Sequence, residues 1–359
     1  MTESQTDPDL LYVGTYTENT RSAGVYLVRM DRRSGELRHV GAVNAGTNPS
    51  FLTIHPNGRV LYAVNELGKG TVSAFTIEKG LDALTRMNEQ PSEGGAPCYV
   101  SVDKSGRAAL VANYTGGNVA LLPIEANGAL APAHVVQHTG KGPTPSRQEA
   151  PHAHCILPDP SNHFALAADL GADRVFVYRL DLDGKSLRHV EGGDAVMRPG
   201  AGPRHIAFHP TLPLVFVANE LDSTVATLRF DSARGMLTVL DARSTLPAGW
   251  TGTNYPADIH VAPNGRTLYV SNRGHNSMAV YSVAESTGAL ALDQVIPTEG
   301  DWPRNFSLDR SGRWLLVANQ RSDSVIVFER DPDSGRLTLT KQRIEIPSPV
   351  CLRFLGAHS

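Results

Sequence analysis

Histidine, arginine and glutamate side chains at four positions have the chemistry needed for proton transfer on a bound anion. These positions are His152, Arg204, Glu220 and Arg273. Histidine and glutamate can exchange protons near neutral pH, whereas arginine holds a carboxylate or phosphate and stabilises a developing oxyanion. Together the residue types predict a catalytic or binding site for a small anion. The simpler alternative is that each arginine pairs with a nearby acid and only ties neighbouring segments together.

Five further polar residues could contact the same substrate. They are His154, His205, Arg304, Arg147 and Lys141. Arg147 and Lys141 belong to a long segment, 139–150, which would add positive charge where an anion docks. A second long segment covers 245–255. For Lys141, a solvated loop side chain is an equally simple interpretation.

His152 and His154 stand two residues apart on a predicted strand, where both imidazoles would lie on one face and could bind one Zn²⁺. A third ligand would have to come from a distant segment, such as Glu220 or His205. The commoner role of such a pair is a hydrogen-bonded pocket wall, so we predict no metal. The sequence contains no G-x-S-x-G, P-loop or dinucleotide-binding pattern, so we also expect no serine nucleophile of that kind and no cofactor.

The elements that must position these residues form a repeat of about 50 residues. Each copy begins with a strand after a proline, turns tightly into an apolar β-rich strand, and ends that strand on Asn or Asp. The prolines are Pro49, Pro97, Pro151, Pro203, Pro256, Pro303 and Pro349. The residues that end the second strands are Asn65, Asn113, Asp169, Asn219, Asn272 and Asn319. A third and a fourth strand follow in each copy, which is typical of a propeller blade.

Six copies are complete, and the two ends of the chain supply a seventh. The segment that begins at Leu11 resembles a second strand without a first, and the segment that begins at Pro349 resembles a first strand without a second. The sequence therefore predicts an all-β, seven-bladed β-propeller with four antiparallel strands per blade. Pairing of the C-terminal innermost strand with the N-terminal outer strands would close the ring and remove open sheet edges. We expect residues 10–356 to form this single domain, and residues 1–9 to be a disordered or loosely ordered tail.

Strand direction places the start of each first strand and the end of each second strand on one face, near the central channel. The residues after the prolines form a first ring there: Ser50, Cys98, His152, Arg204, Ala257, Arg304 and Val350. The residues after the repeated Asn or Asp form a second ring: Tyr16, Glu66, Tyr114, Leu170, Glu220, Arg273 and Gln320. His, Arg and Glu concentrate in blades three to six, which favours a binding or catalytic role. With the neighbours His154, His205 and His275, these rings predict a cationic mouth with one carboxylate.

The overall composition excludes several classes of partner. The chain has 359 residues, 41% of them hydrophobic, and a net charge of −3. Without a basic face we expect no binding of nucleic acid or of a membrane surface, and no apolar run is long enough to cross a bilayer. The polar N-terminus resembles no leader and the three cysteines are far apart, so we expect a cytoplasmic protein without disulfides. The sequence leaves open whether it is a monomer or a homodimer.

Five short segments around the candidate site are specific enough to indicate a family. They are Arg147-Gln-Glu-Ala-Pro-His-Ala-His154, Gly202-Pro-Arg-His205, Ala218-Asn-Glu220, Ser271-Asn-Arg273 and Pro303-Arg-Asn305. With these segments the chain resembles the propeller lactonases, which comprise bacterial cycloisomerase-type 6-phosphogluconolactonases and the related fungal carboxy-cis,cis-muconate cyclases. The resemblance extends from Leu11 to Phe354.

The resemblance implies hydrolysis of 6-phospho-D-glucono-1,5-lactone to 6-phosphogluconate, a step of the pentose phosphate pathway, with a small anionic lactone as substrate and no metal. The active-site positions that it implies are His152, Arg204, Glu220 and Arg273, and Arg304 and His205 also fit the pattern. As a hypothesis, Glu220 or His152 takes a proton from the attacking water, and Arg273 or Arg204 stabilises the oxyanion. The remaining arginines and Lys141 would bind the phosphate.

Three rival functions stay open at this point. The same pocket could act as a lactone cyclase or isomerase on a muconate-like dicarboxylate, or as a lactonase for another sugar lactone. A third possibility is a non-enzymatic propeller that binds protein on this face. That function predicts an exposed apolar or aromatic patch, whereas the two rings offer His, Arg and Glu.

Overall fold

Seven antiparallel sheets surround a central channel in the computed structural model, which describes residues 8–78 and 83–356. Each sheet follows a path of four strands. In six of them the first strand is innermost and the others follow outward in chain order, whereas the innermost strand of the seventh comes from the C-terminal end. Each blade contacts the next, and blade seven contacts blade one, so the ring is closed. The predicted all-β seven-bladed propeller is confirmed.

The chain begins and ends in blade seven. Its N-terminal strands are β1 (Asp9–Thr15), β2 (Val25–Met30) and β3 (Leu37–Val43). Blade one contains β4 (Leu52–Ile54), β5 (Val60–Asn65), β6 (Thr71–Ile77) and β7 (Leu84–Pro91). Blade two contains β8 (Pro97–Val102), β9 (Ala108–Asn113), β10 (Asn118–Pro123) and β11 (His134–Gln137). Blade three contains β12 (Ala153–Pro158), β13 (Phe164–Asp169), β14 (Arg174–Asp181), β15 (Ser186–His189) and β16 (Ala195–Val196).

The other blades continue the same order. Blade four contains β17 (Pro203–Phe208), β18 (Leu214–Asn219), β19 (Thr224–Asp231) and β20 (Met236–Ser244). Blade five contains β21 (Tyr255–Val261), β22 (Thr267–Arg273), β23 (Ser277–Val283) and β24 (Leu290–Pro297). Blade six contains β25 (Pro303–Leu308), β26 (Trp314–Asn319), a 3₁₀ turn (Gln320–Ser322), β27 (Ser324–Arg330) and β28 (Leu337–Glu345). The last strand, β29 (Pro349–Phe354), completes blade seven.

The seventh blade is assembled from both ends of the chain, as the sequence predicts. Strand β29 pairs antiparallel with β1, with Val13 opposite Leu352 and Leu11 opposite Phe354. Residues 1–7 of the predicted tail lie outside the described residues, and Asp9 is the first residue of β1. The backbone hydrogen bonds between β1 and β29 thus join the two ends of the domain.

The core lies between the blades. In blades one to six every residue of the second strand is buried, because neighbouring sheets cover both of its faces. The outermost strands are largely exposed, as in β20, where only Leu237 is buried. This gradient from buried to exposed strands keeps the inner strands rigid, and they carry both rings of candidate residues.

Blade three departs from the repeat. The two-residue strand β16 pairs with β14 beyond the end of β15, so this blade has five strands instead of the predicted four. A two-residue strand leaves no alternation in the sequence by which it could be recognised.

Candidate active site

A β-bulge near the start of the first strand turns the first-ring residues toward the channel. The pairing register skips Cys98 in blade two, Arg204 in blade four and Arg304 in blade six. A bulge changes the direction of a side chain and bends its strand. These three side chains accordingly line one pocket at the mouth of the channel.

In blade three the first-ring residue is His154 and not His152, which corrects the prediction. Ala153 is the residue that pairs with Asp169, as the repeat proline does in other blades. Pro151 lies two residues before that position, so aligning this copy by its proline shifted the ring assignment. His152 instead lies at the end of the long loop, just before β12.

The pocket at the channel mouth is narrow and polar. Its lining residues are Ser50, Phe51, Glu66, Cys98, Arg204, His205, Arg304 and Val350. It has room for about one water molecule. Any ligand larger than one small group must therefore bind outside this pocket.

Glu220 is the centre of an arginine cluster that shares Arg204 with the pocket. Arg273 Nη2 donates to its Oε2 at 2.6 Å, and Arg204 Nε lies 3.0 Å from the same oxygen. Arg147 Nη2 donates to Oε1 at 2.5 Å from the long loop. Glu220, Arg204 and Arg273 are at most 4% exposed, so the structure brings together three of the four predicted catalytic residues.

This clustering determines the charge state of Glu220. Burial opposes its ionisation, but Arg273, Arg204 and Arg147 outweigh burial and hold the pKa of Glu220 far below its ordinary value. Burial, with Arg273 and Arg304 nearby, lowers the pKa of Arg204 to about 9. Glu220 is therefore a carboxylate at neutral pH and a weak base, which makes it an anchor for the arginines.

Aromatic rings pack against two arginines of the cluster, Arg273 and Arg147. The Arg273 guanidinium lies 5.4 Å from the Trp302 ring and 6.0 Å from the Tyr255 ring, and its Nε donates to the Tyr255 carbonyl at 3.1 Å. Arg147 lies 5.8 Å from the Tyr255 ring. Sequence reasoning missed both aromatic residues, although Trp302 directly precedes a repeat proline.

Burial lowers the pKa of three histidines near the mouth, His154, His205 and His275, which corrects their predicted contribution to a cationic mouth. Burial and repulsion from Arg204 lower the pKa of His205 to about 3, although its Nδ1 lies 2.8 Å from Asp258 Oδ1. Burial and the nearby Arg204 also lower the pKa of His154 well below its ordinary value. Burial lowers the pKa of His275 as well. The positive charge of the mouth comes from arginine.

His152 lies at the edge of the cluster with an oxygen atom close to each ring nitrogen. Its Nδ1 lies 3.0 Å from the Tyr114 carbonyl, and its ring stacks on the Tyr114 ring at 4.6 Å. Its Nε2 lies 3.1 Å from Oε1 of Glu149 on the exposed part of the loop. The Tyr114 hydroxyl in turn accepts from Arg147 Nη2 at 3.4 Å, which connects His152 to the arginine cluster.

The other predicted binding residues are divided between the pocket and the loop. Arg304 and His205 line the pocket, and His154 Nδ1 lies 3.6 Å from the Sγ of Cys98, which also lines it. Lys141 is exposed on the long loop, and among the described residues it has no ion pair with the cluster. Arg147 contacts Glu220 directly and therefore belongs to the arginine cluster.

A second carboxylate in the mouth was not predicted. Glu66 Oε2 accepts hydrogen bonds from Tyr16 Oη at 2.9 Å and from Ser50 Oγ at 2.5 Å. Arg304 Nη2 donates to Tyr16 Oη at 2.9 Å. The predicted mouth with one carboxylate is therefore wrong, although the second ring already placed Glu66 and Tyr16 on this face.

The residues offer little to a metal ion. The Tyr114 ring contacts both His152 and His154, at centroid distances of 4.6 and 5.5 Å, so an aromatic ring occupies the space beside the two imidazoles. Within residues 8–78 and 83–356, no three His, Cys, Asp or Glu residues are grouped as metal ligands. In the same residues, no helix has the length and apolar character of a membrane span.

Comparisons with known proteins point to one family over nearly the whole chain. Residues 10–354 match the family described as lactonase, seven-bladed β-propeller. The 6-phosphogluconolactonase of Bacillus subtilis (strain 168) is 38% identical over 346 residues, which cover 96% of this chain and 97% of the relative. That of Formosa agariphila is 32% identical and covers 97% of this chain and 100% of the relative. The periplasmic gluconolactonase of Pseudomonas aeruginosa superposes with a TM-score of 0.92 at 34% identity, covering 98% of this chain and 100% of that one.

Proposed function

We propose, from the premise that this chain belongs to the seven-bladed β-propeller lactonase family, that it hydrolyses 6-phospho-D-glucono-1,5-lactone to 6-phosphogluconate. Lactone hydrolysis is the activity that the family and its relatives carry in their names. The observation that carries the finer proposal is the cluster of Arg147, Arg204 and Arg273 around one buried carboxylate, with Arg304 in the pocket below. Four guanidinium groups against two carboxylates leave an excess of positive charge for an anionic substrate.

His152 is the better general base of the two candidates. If Nδ1–H donates to the Tyr114 carbonyl, the neutral ring keeps its lone pair on Nε2, and a water molecule reaches it when the exposed Glu149 side chain moves aside. The carboxylate of Glu149 at 3.1 Å from Nε2 suits the imidazolium that forms after the proton is taken up. Glu220 is occupied by three arginines and its pKa is lowered, so we assign it the positioning of those arginines.

The reaction then follows in two balanced steps. His152 accepts a proton from water as the water oxygen bonds to the lactone carbonyl carbon, and the carbonyl oxygen becomes an oxyanion. Arg204 or Arg273 stabilises that charge through guanidinium groups that Glu220 holds in place. As the tetrahedral intermediate collapses, the ring oxygen leaves and takes the proton back from His152, which gives the open-chain hydroxy acid.

The substrate phosphate would bind at the loop side of the cluster. The Arg147 side chain is 33% exposed, and Lys141 is exposed on the same loop. Arginine and lysine on an exposed loop suit a phosphate that projects away from the reacting carbonyl. A cytoplasmic location would fit such a metabolite and remains part of the proposal.

A second candidate is hydrolysis of the unphosphorylated glucono-1,5-lactone. It is favoured by the structural similarity to the periplasmic gluconolactonase of Pseudomonas aeruginosa. In this case the arginine cluster would only stabilise the oxyanion formed from the lactone carbonyl, and Lys141 would have no substrate phosphate to bind.

The phosphate dependence can be tested by comparing both lactones in one assay, with spontaneous hydrolysis subtracted. We expect kcat/KM for freshly prepared 6-phosphogluconolactone to exceed that for gluconolactone by about tenfold or more, since a charge-assisted contact contributes about 1.5–3 kcal/mol. Lys141→Gln should reduce this ratio, whereas Arg243→Gln, at an exposed site on β20, should leave it unchanged. Equal kcat/KM for the two lactones would favour the second candidate, and no acceleration of either would contradict both.

A further inference from the structure

The two carboxylates of the second ring have opposite surroundings. Glu220 contacts three guanidinium groups. Glu66 contacts only hydroxyl groups, because Tyr16 and Ser50 both donate to its Oε2. Among the described residues its other oxygen, Oε1, has no hydrogen-bond partner. Glu66 thus has acceptor capacity that the protein itself does not use.

The charge of Glu66 is not neutralised by direct contact either. The nearest arginine in its network, Arg304, donates to the Tyr16 hydroxyl at 2.9 Å and not to the carboxylate. No ion pair of Glu66 occurs within residues 8–78 and 83–356. A hydroxyl group therefore separates an arginine from a carboxylate that line the same pocket, and each keeps binding capacity for a ligand.

The size of the pocket restricts the group that Glu66 can bind. With room for about one water molecule, it accepts a single hydroxyl of a ligand that rests above it. A hydroxyl donates to a carboxylate in a charge-assisted hydrogen bond. A ligand carboxylate in the same place would meet a like charge at short range, which is strongly unfavourable.

We propose that Glu66, held by Tyr16 and Ser50, is a hydroxyl-binding subsite that selects polyhydroxy lactones and rejects lactones with an additional carboxylate. The inference rests on the proposed function, because it assumes that a lactone binds at this mouth. It explains how one arginine-rich site favours a sugar lactone over a muconate-like dicarboxylate: the arginines attract both ligands, and Glu66 repels the second.

The test is a calorimetric comparison of gluconate, a polyhydroxy monoacid, with adipate, a dicarboxylate of the same carbon number without hydroxyls. The proteins are wild type, Glu66→Gln, and the control Glu345→Gln, whose exposed carboxylate pairs with Arg21 on the rim. We expect Glu66→Gln to bind gluconate about tenfold or more weakly and adipate more tightly, while the control matches wild type. Unchanged gluconate affinity in Glu66→Gln, or no gluconate binding by wild type, would overturn the subsite.

Two further measurements keep the result interpretable. If Glu66→Gln does not fold, Tyr16→Phe replaces it. Loss of the tyrosine hydroxyl lets Arg304 neutralise Glu66, so gluconate should bind severalfold more weakly. Unchanged gluconate binding by Tyr16→Phe would again overturn the subsite. Lactone hydrolysis by wild type is measured in parallel. If gluconate binding depends on Glu66 but no lactone is hydrolysed, the subsite is supported and the proposed reaction is refuted. If lactone is hydrolysed but gluconate binding does not depend on Glu66, the proposed reaction is supported and the subsite is refuted.

Discussion

Three arginines from different parts of the chain contact the buried carboxylate of Glu220, which therefore positions them. Arg147 comes from the loop before blade three, Arg204 from blade four and Arg273 from blade five. Since Glu220 directly follows the second strand of blade four, the cluster joins the long loop to two blades. Its integrity should therefore affect stability as well as catalysis.

Replacing Glu220 by Gln removes the only carboxylate that these arginines share among the described residues. We expect kcat to fall by at least tenfold, because the oxyanion-binding groups lose their anchor. The free energy of unfolding should fall by about 3 kcal/mol, since buried charges lose their partner. Steady-state kinetics and urea unfolding would measure both effects. Glu345→Gln is the control, and wild-type stability in Glu220→Gln would contradict the assigned anchoring role.

His205 makes stability depend on pH in a defined direction. Because burial lowers its pKa from 6.5 to about 3, between these values the unfolded chain binds a proton that the folded protein does not. The unfolding constant should rise as pH falls from 6.5 towards 3, by up to about tenfold per pH unit for this group, and His154 acts in the same direction. Urea unfolding at several pH values should show a smaller slope for His205→Gln than for wild type. The exposed-site control His163→Gln should keep the wild-type slope, and a wild-type slope in His205→Gln would refute the assignment.

At the scale of single residues, the repeat correctly predicted that Arg204, Glu220 and Arg273 lie together, because all three follow a marker residue of the repeat. The charge states of His154 and His205 could not be predicted, since they depend on burial and on distances across the channel. The importance of Glu66 was also missed. Its partners Tyr16 and Ser50 come from other positions of the rings, and the sequence does not show which ring members touch.

In five blades the residue that ends the second strand ties neighbouring elements together. Asn65, Asn113, Asn272 and Asn319 each donate from Nδ2 to a backbone carbonyl of the segment that precedes the blade. Asp169 has no such donor. It accepts instead from the ring of His138, which lies 2.6 Å away, and from the backbone N–H of His152 at 2.7 Å.

Asp169 should therefore act on catalysis through His152, which the asparagines cannot do. Asp169→Ala and the matched Asn113→Ala should both lower the midpoint of thermal unfolding, because each removes a buried tie between elements. Only Asp169→Ala should also lower kcat, by roughly tenfold, with KM little changed, since it releases the backbone of the proposed base. Equal kcat in the two variants would show that the His138–Asp169 pair is structural only.

The bulges explain why the sequence could predict strands but not all side-chain directions. Strand alternation assigned His152 and His154 to one face, yet the register skips a residue at this point in blade three. A bulge depends on local backbone geometry, and no fixed residue type marks its position in the sequence. The repeat therefore predicted the blade reliably, and the misplaced proline of this copy produced the one error in ring position.

The whole molecule depends on the pairing of its two ends. Deleting residues 348–359 would remove β29 and expose the edge of β1 together with the core residues that pack on Leu352. We expect the shortened chain to lose cooperative thermal unfolding, and a synthetic peptide of residues 348–356 to restore it. Circular dichroism and size-exclusion chromatography would follow both. A shortened chain that unfolds like the full-length protein would refute the role of this pairing.

At this scale the sequence was most informative, because a repeat with two incomplete ends determines both blade number and closure. It could not predict the width of the channel mouth, which results from seven blades packing around one axis. The pocket has no room for a lactone, so the proposed substrate would bind outside it.

The central claim is that the mouth hydrolyses a lactone with His152 as the base. The most direct test is the rate of 6-phosphogluconolactone hydrolysis by wild type and by His152→Gln, each corrected for the spontaneous reaction. We expect wild type to exceed the spontaneous rate clearly, and His152→Gln to lose about 10²- to 10⁴-fold in kcat while remaining folded. A variant as active as wild type, or a wild type no faster than the spontaneous reaction, would contradict the account.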